Sequence, residues 1–229
     1  EKDNNWWVSK MIKKHKSSVL TVAWHPNSQI LATGASDFKA RVFSAFVNNV
    51  DAAQQSAEFP SSVAFGETYA EFASSGWVHG VCYSPSGQTL AFAGHDSSVH
   101  FATFGSEGAP TLQTIRFAFL PLQQLYFASE TTIIAGGHDR NPAVFEKGES
   151  SSHEWAFAEF VDKKPKATSG STKSSSDVKS RMAMWQNKDK TGKEDGAAAD
   201  DESKWLKHQG PITCLKPYKH GFSTTSPDG

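Results

Sequence analysis

The sequence predicts an all-β propeller, with about three and a half blades in the chain. Three observations carry this. The triplet Gly94-His95-Asp96 recurs as Gly137-His138-Asp139, with Ser36-Asp37 as a weaker third copy. Each copy stands between two short apolar runs. Each also holds an Asp at the same place, where a tight turn between two blade strands lets its carboxylate accept backbone and His N–H bonds.

Aligned on the Asp, the units read in order. The first runs Val19–Pro26, Ile30–Gly34, Asp37, Ala40–Phe43. The second runs Val78–Pro85, a Ser86-Gly87 turn, Thr89–Gly94, Asp96, Val99–Phe101. The third runs Leu122–Phe127, Ile133–Gly137, Asp139, Ala143–Phe145. A fourth begins with Pro211–Leu215 and Phe222–Thr225 and reaches Asp228. Each is strand, turn, strand, tight turn, strand. Alternation of Val19, Thr21 and Ala23 against Leu20, Val22 and Trp24 is weak, because inner blade strands are covered on both faces. Thr111–Phe117 alternates cleanly, as a half-exposed outer strand does, and Glu67–Phe72 and His153–Phe160 fit the same slot. Trp6–Ile12 is predicted as the outer strand of a blade whose other strands are absent. His15 and His208 each stand four residues before a first strand (Val19, Ile212), the place of the His in the Gly-His dipeptide of WD repeats, without the Gly. The Trp-Asp dipeptide is missing; Phe43-Ser44 and Phe145-Glu146 fill its place.

The chain has 229 residues, 38% hydrophobic and 12% aromatic, enough for a core. Propellers close with ~4–8 blades of ~40–45 residues each. The expectation is therefore one partial propeller over residues 1–229, with blades missing at both ends. A net charge of −1 offers no global attraction to nucleic acid or anionic membrane. No apolar run approaches the ~20 residues that span a bilayer. Neither nucleic-acid binding nor membrane insertion is expected. Cys82 and Cys214 lie in different strands and read as small buried side chains in a reducing cytoplasm.

Two segments break the repeat. Residues 47–66, rich in Ala, Gln and Ser, read as a long loop. Residues 162–207 exceed the period by roughly a whole blade and read as an inserted low-complexity arm. Within it, Ser169–Ser176 is a linker, and 177–189 is predicted as a short amphipathic helix capped at Ser176 or Asp177. Val178, Met182 and Trp185 recur at i, i+4 and i+7 on one face, with Lys179, Arg181 and Lys188 beside them. The arm is basic before residue 194 and acidic after it. Such a helix either folds back onto the propeller or serves as a docking peptide for a partner groove.

The sequence shows no reaction centre. The His-Asp pairs of the repeat are read as structural, because they recur at one place in every unit. No His-Glu-x-x-His or paired Cys-x-x-Cys spacing, phosphate-binding Gly loop or Gly-x-Ser-x-Gly elbow occurs. No catalytic residue, metal ligand or cofactor is expected.

Several runs are more specific than a generic repeat. They are Asn5–Lys10, Trp24–Asn27, Asp37–Phe46, Phe65–Glu67, Gly76–Cys82, Gly94–Val99, Leu120–Leu122 and Gly137–Asp139. With an insertion carrying Arg181–Asp189 before the last blade, they resemble subunit 1 of the actin-related protein 2/3 complex, its WD-repeat subunit of about 40 kilodaltons. The resemblance covers nearly all of the chain except Asp51–Ser62, Glu146–Ser152 and Lys190–Lys207. It implies a seven-bladed propeller, of which this chain spans the end of blade three to part of blade seven. It implies a non-catalytic cytoplasmic subunit of the actin cytoskeleton, in the complex that nucleates branched filaments. Implied partners are the other subunits, including the actin-related proteins and the smallest helical one, with actin filaments and a nucleation-promoting factor beyond them. The insertion helix is implied to contact actin. The alternative is a WD-repeat adaptor of another class, such as a ubiquitin-ligase substrate receptor, which has no reason to carry this helix at this blade junction.

Overall fold

The structure is a computed structural model that describes residues 9–48, 50–52, 59, 63–105, 109–148, 154–163, 205–219 and 221–228. Its described elements are all strands. β1 (Val19–Trp24), β2 (Ile30–Ala35), β3 (Lys39–Ser44) and β4 (Thr68–Ala73) form the first sheet, each paired antiparallel with the next. The second sheet is β5 (Val78–Tyr83), β6 (Thr89–Gly94), β7 (Ser98–Thr103) and β8 (Thr111–Arg116). The third is β9 (Leu122–Phe127), β10 (Thr132–Gly137), β11 (Ala143–Lys147) and β12 (Trp155–Phe160). β13 (Cys214–Tyr218) and β14 (Gly221–Thr225) pair by themselves. The predicted units thus form three four-stranded blades and a two-stranded one, an all-β propeller partially present.

The first strands are neighbours in turn, β1 beside β5, β5 beside β9 and β9 beside β13. Each blade therefore buries a face against the next. Between the first two blades lie Ile30, Ala32, Val42, Val78, Leu90 and Phe92. Between the second and third lie Phe101, Leu122, Leu125, Phe145 and Trp155, with the Phe101 and Trp155 rings stacked at 4.5 Å. β6 is buried along its whole length, which is why it reads as a continuous apolar run.

A small residue three before each repeated Asp makes this approach possible. A Cβ on Gly34 would stand 2.8 Å from the Val78 carbonyl oxygen, and one on Gly136 would stand 2.6 Å from Ile212 Cγ2. Ala93 fills the position in the second blade, packed in the same cluster as Leu122.

Two differences from expectation stand out. Ser9–Ile12 form no strand, and Trp6–Val8 lie outside the described residues. A strand needs a neighbour to pair with; the stretch instead runs by Phe65–Glu67, with Lys10 Nζ 5.3 Å from the Phe65 ring centre and Lys14 3.9 Å from Glu67. In the connection from β3 to β4, Phe59 is buried, against Tyr69 at 5.2 Å and Phe104 at 4.8 Å between ring centres. A segment that reads as a long loop contributes a core side chain.

Residues Asp162–Lys207 form a separate compact unit. Among its described residues, the Lys207 N–H donates to Asp162 Oδ2 at 3.2 Å. The predicted helix at 177–189, with Val178, Lys179, Arg181, Met182, Trp185 and Lys188, lies outside the described residues.

Candidate functional site

Antiparallel order puts three things at one end of every blade: the start of its first strand, the loop leading into it, and the turn between its second and third strands. Asp37, Asp96 and Asp139 occupy those turns. The residue after each has a left-handed backbone, with φ of 67° at Phe38, 59° at Ser97 and 63° at Arg140. In the three four-stranded blades one residue of the first strand is bulged out of the ladder at the same rim: Leu20, His79 and Gln123.

In the first blade the turn is charged. Arg41 and Asp37 form a paired contact, Nη2 to Oδ2 at 2.9 Å and Nη1 to Oδ1 at 3.2 Å. Arg41 Nε donates to Glu71 Oε2 at 2.7 Å and Nη1 to His15 Nδ1 at 3.1 Å. Since His15 Nδ1 accepts, its Nε2 carries the hydrogen and donates to Thr33 Oγ1 at 3.1 Å. Burial and the Arg41 charge lower the His15 pKa, against a smaller opposing effect of Asp37. Burial alone would raise the Asp37 pKa, but hydrogen bonds from Arg41 and the Lys16 N–H, with the Arg41 charge, hold it below its ordinary value.

In the second blade, Asp96 Oδ1 accepts from the Ser98 hydroxyl at 2.5 Å and the Ser98 N–H at 3.3 Å. His100 Nε2 lies 2.8 Å from Ser98 Oγ, and its Nδ1 lies 2.9 Å from Thr114 Oγ1. These residue types match a hydrolytic triad, but the order does not. A triad carboxylate orients the histidine and leaves the serine proton to it; here the carboxylate holds the serine itself, and Ser98 is buried. Burial lowers the His100 pKa, against the Asp96 charge.

His95 and His138 do not bond to their neighbouring Asp. His95 Nδ1 meets His79 Nε2 at 2.8 Å, and His138 Nε2 accepts from Gln123 Nε2 at 2.8 Å, each turn His reaching the bulged residue of its own blade. The His95 and His138 rings are 6.1 Å apart across the blade junction. Burial, then the charges of His95 and His138, lower the His79 pKa. Trp77, which the sequence leaves without a role, is exposed beside His95 at 5.8 Å. Asp139 Oδ2 accepts from the Leu120 N–H at 2.8 Å. In the last unit His208 Nε2 lies 2.7 Å from Thr224 Oγ1, and Asp228 Oδ2 accepts from the Gln209 N–H.

Other chemistry is sparse. Among the described residues, no group of three His, Cys, Asp or Glu side chains is placed to hold a metal ion. The cleft between the β5–β6 and β9–β10 turns has one carboxylate, Glu130, spent on the Ser86 N–H and hydroxyl at 2.5 and 2.9 Å. Cys82 is a free thiol that burial pushes far above its ordinary pKa, which keeps it protonated.

Repeated four-stranded antiparallel blades, each with an Asp in the turn between its second and third strands, define a WD-repeat propeller. The WD domain, G-beta repeat family matches residues 6–44 and 66–101. Across its whole length the chain is 38% identical to actin-related protein 2/3 complex subunit 1B of Arabidopsis thaliana and 37% identical to subunit 1A-B of Xenopus laevis. It covers 61% of each of those relatives. Over 71% of the chain it is 42% identical to subunit 1 of Schizosaccharomyces pombe, covering 43% of that protein. The chain is thus similar over its whole length to subunit 1 of the actin-related protein 2/3 complex, and spans about three fifths of the length of those relatives.

Proposed function

We propose that this chain is a non-catalytic structural subunit of the actin-related protein 2/3 complex, in the cytoplasm at the actin cytoskeleton, supporting nucleation of branched filaments. The observation that carries this reading is similarity over the entire chain, arm included, to proteins named as subunit 1 of that complex. The repeat turns agree with it, because His15, Asp37, Asp96, Asp139 and His208 are engaged in bonds within their own blades. The blades serve as a scaffold for the other subunits, including the actin-related proteins and the smallest helical one.

The arm extends this reading. Val178, Met182 and Trp185 form an apolar helix face that docks on actin or an actin-related subunit, while Lys179, Arg181 and Lys188 meet an acidic surface. Tethering raises local concentration, so modest intrinsic affinity suffices. The first test is a native pull-down, which should recover actin-related proteins and the other subunits. The second is Trp185→Ala in purified complex. Losing that anchor should cost ~2 kcal/mol of docking energy, weakening branch formation while assembly persists. Unchanged branch density and filament affinity would remove the arm from the actin contact.

A further inference from the structure

Three histidines, a glutamine and Trp77 gather where the second and third blades meet. His79 and Gln123 are the bulged residues of β5 and β9. The two strands touch there: a Cβ on Gly80 would stand 2.8 Å from the Gln123 carbonyl oxygen. His95 and His138 directly follow β6 and β10. Each is tied by its backbone to the loop before its blade's first strand. The His95 N–H donates to the Trp77 carbonyl at 2.8 Å, and the His138 N–H to the Pro121 carbonyl at 3.1 Å. A Cβ on Gly76 would stand 2.9 Å from the Asp96 nitrogen, so the loop that carries Trp77 follows any shift of that turn. The imidazoles lie in succession, His79 to His95 at 4.9 Å and His95 to His138 at 6.1 Å between ring centres. Trp77 lies against the first two, at 6.2 and 5.8 Å.

The number of protons on this cluster decides its bonds. The 2.8 Å contact between His79 Nε2 and His95 Nδ1 holds one hydrogen, so one of the two nitrogens is bare. The pair can take up one proton from solvent and keep its bond, then charge-assisted. A second proton puts an N–H on each side of the contact. The bond is then lost, and two like charges face each other. His138 is neutral while its Nε2 accepts from Gln123, and charging it sets a further cation across the junction from His95. The ionisable groups of the flanking elements give no relief. Asp37 bonds Arg41 and the Lys16 N–H, Asp96 bonds Ser98, and Asp139 bonds the Leu120 N–H. Asp228 lies 3.9 Å from His208 and accepts the Gln209 N–H. Arg116, at the end of β8, and Arg140, after Asp139, are cations and oppose further charge.

We propose that His79, His95 and His138 form a pH-operated latch at the junction of the second and third blades. The latch is closed while the cluster holds at most one added proton. Further protons release it, together with the loops at Trp77 and Pro121. Burial, then the charges of His95 and His138, lower the His79 pKa, which agrees with this order of uptake. A lowered folded-state value means that the closed form is favoured above ~6.5 and is lost as pH falls through the folded value.

The experiment is amide hydrogen exchange of the full chain at about pH 7.5 and about pH 5, corrected for the intrinsic pH dependence of exchange. The reporters are the His95 and His138 amides, which bond to the two loops. Their protection should fall about 10-fold or more at the lower pH, while amides inside β6 and β10 change by less than about 3-fold. His79→Gln should abolish the difference, because an amide can donate to a bare His95 nitrogen or accept from a protonated one. NMR of isotope-labelled histidine in wild type gives a reading that needs no variant: the His79 and His95 rings should titrate in two steps separated by at least about one pH unit. Circular dichroism monitors folding of the variant. Equal protection of the reporters at both pH values overturns the inference. So does a loss that His79→Gln leaves unchanged, or one shared equally by β6 and β10, which would be general acid unfolding. Titration of His79 and His95 in a single step, as independent groups, overturns it as well.

Discussion

Replacing Arg41 by Met tests the electrostatics of the first blade. The Arg41 side chain is 3% exposed and that of Asp37 11%, so the pair is out of water. Met keeps the stem's packing but removes the guanidinium. Asp37 is then left with the Lys16 N–H at 3.3 Å as its remaining charge-stabilising contact of this set. Breaking one side of a buried pair costs ~3–5 kcal/mol, since the other charge stays buried and uncompensated. Glu71, with a side chain 40% exposed, adds at most ~0.5 kcal/mol. A loss near ~3 kcal/mol is therefore expected in urea unfolding at neutral pH. Asp37→Asn in the Arg41→Met background should recover part of it, with a coupling of at least ~1 kcal/mol in the double-mutant cycle. The acid limb gives an independent reading. Because the folded-state pKa of Asp37 is lowered, its contribution is present above the unfolded value and is lost as pH falls through the folded one. Arg41→Met should flatten that fall. A cost below ~1 kcal/mol, or no recovery on neutralising Asp37, would show that solvent screens the pair and that the network adds little.

Three further outcomes follow from the same geometry. Ser97→Gly should raise stability by about 0.5–1 kcal/mol in thermal unfolding, because a left-handed residue strains a side chain by more than Gly loses in chain entropy. Trp155→Ala should cost ~3–5 kcal/mol, since the ring is buried and stacked on Phe101; a loss under ~1 kcal/mol would mean that the third blade contributes little to the fold. His15, His79 and His100 all have pKa values lowered chiefly by burial. Unfolding releases that restraint, so the unfolded chain binds more protons and stability falls as pH drops from ~6.5 through the folded values. Urea midpoints at pH 7.5 and 5.5 should differ less in His79→Gln than in wild type.

The strands were legible because a repeat supplies its own control. The spacing from first strand to Asp is nearly constant, so weak alternation in Val19–Trp24 could be read by analogy with Val78–Tyr83. The turns were legible for the same reason, and so was the placement of Asp37, Asp96 and Asp139 in them. The partners of His95 and His138 were not. They depend on the bulge that turns His79 and Gln123 out of the ladder, which no local pattern announces. The signal that could have found it is the His79-Gly80 and Gln123-Gln124 pairs, where a polar residue interrupts an otherwise apolar first strand. Phe59 was missed because tertiary packing, not local composition, decides whether one aromatic in a long loop goes inside.

The repeat also separates what a blade must keep from what it can change. Four residues after each Asp, the third strand places a side chain opposite one from the outer strand. In the first blade that pair is Arg41 and Glu71, in the second His100 and Thr114, in the third Ala143 and Phe160. One position thus carries an ion pair, a neutral hydrogen bond and an apolar contact in successive blades. In the first blade Asp37 compensates Arg41. In the second Asp96 fixes Ser98, which supports His100. In the third nothing polar stands at Ala143, and Asp139 instead ties down the loop that presents Phe119 and Leu120. The turn, with its left-handed residue, is the constant; the use made of its carboxylate is not. A substitution such as Asp139→Ala should therefore disturb the rim loop more than the blade interior, whereas Asp37→Ala should do the reverse by removing the paired carboxylate from the buried Arg41, which then keeps Glu71. Amide exchange can tell them apart. Leu120 should lose protection in Asp139→Ala while β10 and β11 keep theirs, and in Asp37→Ala the loss should appear in β3. Equal loss across the blade in both variants would mean that the carboxylates share one role.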